Sequence, residues 1–268
     1  MDMNTILIVG CGNMAGAMLD GWLAGGVAAD RFTVVDPHAR ERRAGVRWLD
    51  ELPLDERFDA LLLGVKPQAL GDVAPRVVPF AARETVVLSI LAGVELAVLA
   101  EHFRDAAGWV RIMPNLAAAL GKSPLALAAQ GLDAGGQHAV TALLGPLGTP
   151  EWFDEADFDA VTALAGSGPA FVYRFIEALA RGGAELGLPA DKAARLALAT
   201  VEGASALAAA SPHDPGELAR RVASSGGVTQ AGLDALDEGH SFNQLVERTL
   251  RAARDRSAAM AAEARARG

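Results

Sequence analysis

Short β-like apolar runs punctuate the first half of the chain, at Thr5–Val9, Phe32–Val35, Asp59–Val65, Thr85–Ser89, Trp109–Met113 and Leu125–Ala129. After about residue 155 the β signal disappears. Helix-compatible stretches such as Met14–Ala24 and Gly93–His102 lie between the runs. Runs such as Ala60-Leu-Leu-Leu-Gly-Val65 show no polar alternation, so both faces of the strand must be covered. Strands of this kind alternating with helices imply a parallel sheet between two helical layers, the doubly wound α/β arrangement.

The second half reads as helices alone. Pro169–Leu186 places Val172, Ile176, Leu179, Gly183 and Leu186 on one face, and Gly187 with Pro189 ends it. Ala190–Ala210, Asp214–Ala223, Thr229–Asp237 and a last helix from about Ser241 follow. The expected organisation is a Rossmann-like domain over residues 1–155 and an all-α domain over 156–268. Small residues at Gly182, Gly183, Gly203, Ala204 and Ser205 suit a dimer interface and intrachain packing equally well.

Charge and composition exclude several classes. The net charge of -9 argues against nucleic acid as a partner, since phosphates would be repelled. Arg248, Arg251, Arg254 and Arg256 alternate with Glu247 and Asp255, as on a solvated helix face. Cys11 is the single cysteine, which excludes a disulfide scaffold, and its place in a glycine loop makes it a small filler rather than a nucleophile. The first apolar segment is only Ile6–Val9, and the Ala193–Ala210 run contains Arg195 and Glu202, too polar for a membrane span. A cytoplasmic protein with no membrane or nucleic-acid partner is expected.

Gly10-Cys11-Gly12-Asn13-Met14-Ala15 follows a strand and opens a helix. The first glycine makes the turn, the second lets backbone approach a pyrophosphate, and Ala15 permits close helix–strand packing. The loop alone does not fix a redox chemistry, because other nucleotides use similar turns. Asp36 ends the second strand, where a carboxylate can hold ribose hydroxyls and favour NADH. Arg40, Arg42 and Arg43 follow and can instead neutralise the extra phosphate of NADPH, leaving Asp36 to its Asp-Pro turn. Val65-Lys66-Pro67, Ser89–Gly93 and Arg111–Asn115 end later strands on the same carboxyl edge. Lys66 there faces cofactor or substrate, or is a surface lysine. No cluster of metal-ligating residues and no nucleophile triad is evident.

Together Gly10–Ala15, Val65-Lys-Pro-Gln68, Arg111-x-Met-Pro-Asn115, Ala163-Leu-Ala-Gly-Ser-Gly-Pro-Ala-Phe-Val-Tyr173 and Ser224-x-Gly-Gly-x-Thr229 occur in an order that resembles the pyrroline-5-carboxylate reductases over nearly the whole chain. The resemblance implies hydride transfer from NADPH or NADH to the imine of 1-pyrroline-5-carboxylate, giving L-proline. It implies cofactor contacts at Gly10, Gly12, Asn13, Met14, Ala15, Asp36, Val65, Lys66, Pro67 and Asn115. It implies a substrate site at Ser224, Ser225, Gly226, Gly227 and Thr229, with Thr229 and Lys66 catalytic. It implies a substrate-binding helical domain that forms a homodimer and, in many members, a ring of dimers. Read without the family, the Ser-rich Gly-Gly turn is a helix N-cap.

Two positions depart from the family pattern. Leu116-Ala117-Ala118 stands where Thr-Pro-Ala is usual, which removes a hydroxyl and a rigid turn beside the nicotinamide. Ser225 stands where proline is usual, which loosens the carboxylate loop. A reductase of another cyclic imine, or a dinucleotide-binding paralogue without turnover, are the alternative readings.

Overall fold

The computed structural model describes residues 3–39 and 41–265. Two compact units emerge, residues 1–167 with 253–268 and residues 168–252. The division falls later than residue 155, and the end of the last helix is counted with the first unit.

The first unit runs β1 (Ile6–Val9), α1 (Asn13–Ala24), β2 (Phe32–Val35), β3 (Arg47–Leu49), β4 (Ala60–Leu63), α2 (Leu70–Val77), β5 (Val86–Ser89), α3 (Leu96–His102), β6 (Gly108–Met113), β7 (Ser123–Gln130), α4 (Ala134–Leu144), β8 (Gly148–Trp152) and α5 (Phe158–Val161). The sheet order is β3-β2-β1-β4-β5-β6-β7-β8. Its order reverses beside β1, which makes the β1/β4 border the crevice where such sheets take ligands.

Alternation along the strands divides the core into two layers. Ile6 and Ile8 of β1, Leu62 of β4 and Leu88 of β5 face Met18, Leu19 and Trp22 of α1 and Val140 and Leu144 of α4. Leu7, Val9, Leu61, Leu63 and Val87 face Leu70, Ala74 and Val77 of α2, Leu99 of α3 and Phe158 of α5. The inner strands are wholly buried, and each buried large aliphatic side chain contributes about 1.5–3 kcal/mol. Trp22 stacks on Phe32 at 5.2 Å and donates its indole N–H to Leu143 O at 2.7 Å, so its one polar atom is satisfied.

The sheet departs from the all-parallel expectation at one border. β6 and β7 pair antiparallel, because residues 114–122 are too few for a crossover connection. β3 and β8 are additional edge strands. β3 is only Arg-Trp-Leu and β8 contains Pro150, so neither shows a strand signal in sequence.

The second unit holds α6 (Gly168–Glu185), α7 (Ala190–Ala210), α8 (Pro215–Val222), α9 (Val228–Asp237) and the first part of α10 (Ser241–Arg265). Asp214 caps α8 by accepting the Glu217 N–H at 2.9 Å. In this unit Ala193 and Ala197 are buried, while Tyr173, Leu186, Leu196, Leu198 and Leu207 are exposed. By length and composition α7 is apolar enough to cross a bilayer, with mean hydropathy 1.2, despite Arg195 and Glu202.

Candidate active site

The glycine loop is shaped by a contact that only glycine allows. Gly10 has φ +82°, and a Cβ there would lie 2.7 Å from Val65 Cγ1. A Cβ on Gly64 would lie 2.3 Å from Gly10 O and 2.9 Å from Ala15 Cβ. The ends of β1 and β4 are therefore in backbone contact, with the Ala15 methyl of α1 packed against the same point. Gly64 is a site residue that the motif reading omits; a glycine inside an apolar strand run was its signal.

Gly12 N-caps α1 and has no side chain to cap it, and a Cβ there would meet nothing within 4 Å. The first helical bond is Gly16 N–H to Gly12 O at 2.8 Å, so the N–H groups of Asn13, Met14 and Ala15 have no acceptor in the helix. Open space before uncapped donors fits a dinucleotide pyrophosphate.

Asp36 reaches into this loop from the end of β2. Its Oδ2 accepts the Cys11 N–H at 2.7 Å and its Oδ1 the His38 N–H at 2.8 Å. The Asp-Pro turn and the loop are thus tied by one carboxylate, which keeps lone pairs for further donors. Arg43 is held by Asp20 of α1 through two bonds of 2.8 and 2.9 Å, and Arg42 pairs with Asp50 at 2.5 Å. Arg40 lies outside the described residues. Burial pushes the Cys11 thiol up to about 11; Arg43 pulls the other way, while Asp36 and Asp20 add to the rise. The thiol is protonated near neutral pH, as a packing filler requires.

Lys66 is exposed at the end of β4 and has no ion-pair partner among the described residues. Its carbonyl accepts the Ala69 N–H at 2.9 Å, so Pro67–Ala69 forms a short 3-10 turn.

Asn115, only 5% exposed, follows β6. Its N–H donates to Ser123 Oγ at 2.9 Å, its Oδ1 accepts the Ala117 N–H at 2.9 Å, and its Nδ2 donates to Ala165 O at 3.0 Å. The side chain that the sequence offers to the cofactor is here engaged with the protein. Leu116–Leu120 forms a 3-10 turn under this cap without the usual Thr-Pro. Arg111 is also buried and pairs with Glu155 at 2.7 Å, while its guanidinium carbon lies 4.6 Å from the centre of the Phe158 ring.

In the second unit, Ser224–Gly227 is a turn closed by the Gly227 N–H to Ser224 O at 2.9 Å, with Gly226 at φ +71°. A positive φ at the third residue is the type II arrangement. The Gly227 N–H is used inside the turn. Gly227 N-caps α9 without a side-chain cap, and the first helical bond is Ala231 N–H to Gly227 O at 3.1 Å. The N–H groups of Val228, Thr229 and Gln230 have no acceptor within the helix, the arrangement that suits an anion. Thr229 is exposed in the first turn, and its hydroxyl has no partner among the described residues.

The structure thus brings Gly10–Ala15, Asp36 and Val65–Pro67 together in the first unit and Ser224–Thr229 together in the second. Asn115 lies two strands from β4, at the end of β6. Among the described residues no His, Cys, Asp and Glu side chains group as metal ligands.

Comparison with known proteins covers both units. A family model described as pyrroline-5-carboxylate reductase dimerisation matches residues 155–260, and one described as NADP oxidoreductase, coenzyme F420-dependent, matches residues 5–93. A pyrroline-5-carboxylate reductase of Pseudomonas aeruginosa is 36% identical over 97% of this chain and 98% of its own. One from Pisum sativum is 34% identical over 94% and 95%. The structure of a pyrroline-5-carboxylate reductase from Coxiella burnetii superposes with a TM-score of 0.88 at 26% identity, covering 96% of this chain and 98% of that one.

Proposed function

Since the chain belongs to the pyrroline-5-carboxylate reductase family, we propose that it reduces the imine of 1-pyrroline-5-carboxylate with NADPH or NADH and releases L-proline. The observation that carries this reading is the near full-length likeness at 36% identity, which spans both units rather than the nucleotide fold alone. The formation of the Leu116–Leu120 turn and of the Ser224–Gly227 turn favours a working site despite both departures.

The dinucleotide, when bound, supplies the hydride. The N–H groups of Asn13, Met14 and Ala15 hold its pyrophosphate, and Gly10, Gly12 and Gly64 keep side chains out of its path. Asp36 orients the loop and accepts from ribose hydroxyls. Val65, Lys66 and Pro67 border the crevice beyond, and Lys66 brings an exposed cation for dinucleotide or substrate. The substrate carboxylate rests on the turn of Ser224, Ser225, Gly226 and Gly227 and on the N–H groups of Val228, Thr229 and Gln230. The Thr229 hydroxyl donates to the ring nitrogen and fixes the face presented to the hydride. That hydrogen bond polarises the imine carbon and orients the nitrogen that takes up a proton as the hydride is delivered, so orientation provides most of the rate.

The protein works as a homodimer through its helical unit, assembled further as a ring of dimers, in the cytoplasm. The exposed leucines of α7 pack against a second copy instead of lipid, which the dimerisation match over residues 155–260 supports. The test is product analysis: L-proline should form in step with dinucleotide consumed. Dinucleotide binding without proline would favour the paralogue without turnover.

A further inference from the structure

The face of β6 that carries Arg111 and Met113 continues to Asn115, and all three residues grip one segment of chain. Arg111 pairs with Glu155 at 2.7 Å and stacks 4.6 Å from the Phe158 ring. Met113 lies against Gly166, where a Cβ would come 3.3 Å from Sδ. Asn115 Nδ2 donates to Ala165 O at 3.0 Å. Glu155 Oε1 also accepts the Leu96 N–H at 2.7 Å, so the first turn of α3 joins the same brace.

The segment held is unusual. After α5 the chain widens into a π-turn at Thr162–Gly166, closed by the Ser167 N–H to Thr162 O at 2.9 Å. Had the α-helix continued, Ala165 O would have accepted the N–H of residue 169, but that residue is proline and has none. The carbonyl is left without a helical donor, and the Asn115 amide takes the place of the missing N–H. A π-turn is a costly local conformation and is frequent at functional sites.

We propose that Asn115 is a positioning residue of the reductase: its amide replaces the N–H that Pro169 lacks and so fixes the backbone of Ala163–Ser167 against the carboxyl end of β6. This rests on the reductase reading. The carboxyl ends of β4, β5 and β6 form the edge beyond the β1/β4 crevice, where the nicotinamide half of a dinucleotide extends in sheets of this order. A displaced turn there moves the walls around the reacting carbon, and misplacement by about 1 Å can cost about 10²-fold in rate. Dinucleotide affinity, which rests on the loop at Gly10 and on Asp36, is left intact.

Asn115→Asp keeps the acceptor for the Ala117 N–H but sets an oxygen against Ala165 O. Wild type and variant are compared for kcat and KM with 1-pyrroline-5-carboxylate, for NADPH and NADH affinity by fluorescence titration, and for Tm. The expected result is a fall in kcat of at least tenfold with dinucleotide Kd within about twofold of wild type. A parallel weakening of Kd would make Asn115 a cofactor ligand and overturn the proposal, as would unchanged kcat. If Asn115→Asp does not fold, Gly166→Ala, which presses the same turn from the Met113 side, decides: the same split supports the proposal, and wild-type kinetics overturn it. A wild-type chain that turns over no 1-pyrroline-5-carboxylate removes the reductase reading and the proposal with it.

Discussion

Single atoms decide most of the site. Thr229 stands in the first turn of α9 with an exposed hydroxyl that has no partner among the described residues, and the proposed reaction gives it the ring nitrogen. Thr229→Ala should lower kcat by about 10²-fold, the scale of one oriented donor, with dinucleotide affinity unchanged in a fluorescence titration. Equal loss of both would remove Thr229 from the reaction. Asp36 holds the Cys11 N–H, and substitution separates that role from the ribose contact proposed for it. Asp36→Ser should shift the NADH to NADPH preference toward NADPH by about tenfold, or 1.4 kcal/mol. Weakening of both dinucleotides alike would assign the carboxylate to loop shape alone. Cys11 gives a pH signature. Its folded thiol titrates near 11 against 9.0 unperturbed, so the fold binds that proton more tightly than the unfolded chain. Stability from this group is complete below pH 9 and is lost as pH rises toward 11. Denaturant melts of wild type and Cys11→Ala across that window should differ in slope, with the wild type falling more steeply.

At the level of elements, the strands that sequence reveals are those buried on both faces. β1, β4 and β5 announce themselves because nothing polar interrupts them. β3 and β8 stay hidden because an edge strand needs neither length nor apolar residues. The antiparallel return into β7 follows from the shortness of a connection that Asn115 caps at one end and Gly121, at φ +64°, closes at the other. The glycine loop and the Thr229 turn were readable because their chemistry is local. The Asp36 bond to Cys11, the Gly10–Gly64 contact and the Asn115 clamp on Ala165 join residues far apart in sequence, and only the fold brings them together. The Ser224–Gly227 turn yields a prediction of its own. Ser225 occupies the second position of a type II turn, where proline presets φ, and its N–H has no acceptor among the described residues. Ser225→Pro should lower KM for substrate about two- to fivefold, equivalent to about 0.4–1 kcal/mol of loop ordering. A raised KM would show that the Ser225 N–H itself holds the carboxylate.

The whole molecule is unevenly finished. The first unit has a two-layered core, whereas the helices of the second leave Leu186 89% exposed and Val228 93% exposed, with leucines along α7 uncovered. Apolar surface of this kind requires a partner. Sedimentation should therefore give a dimer or a multiple of it, and Leu196→Glu with Leu207→Glu should shift the protein toward monomer and lower its Tm. The central claim is the reaction itself. It is tested most directly by following NADH and NADPH oxidation in parallel, with purified protein and 1-pyrroline-5-carboxylate. The account predicts substrate-dependent oxidation of at least one dinucleotide, abolished or strongly reduced in Thr229→Ala. Silence with both, from protein that still binds a dinucleotide, would contradict it.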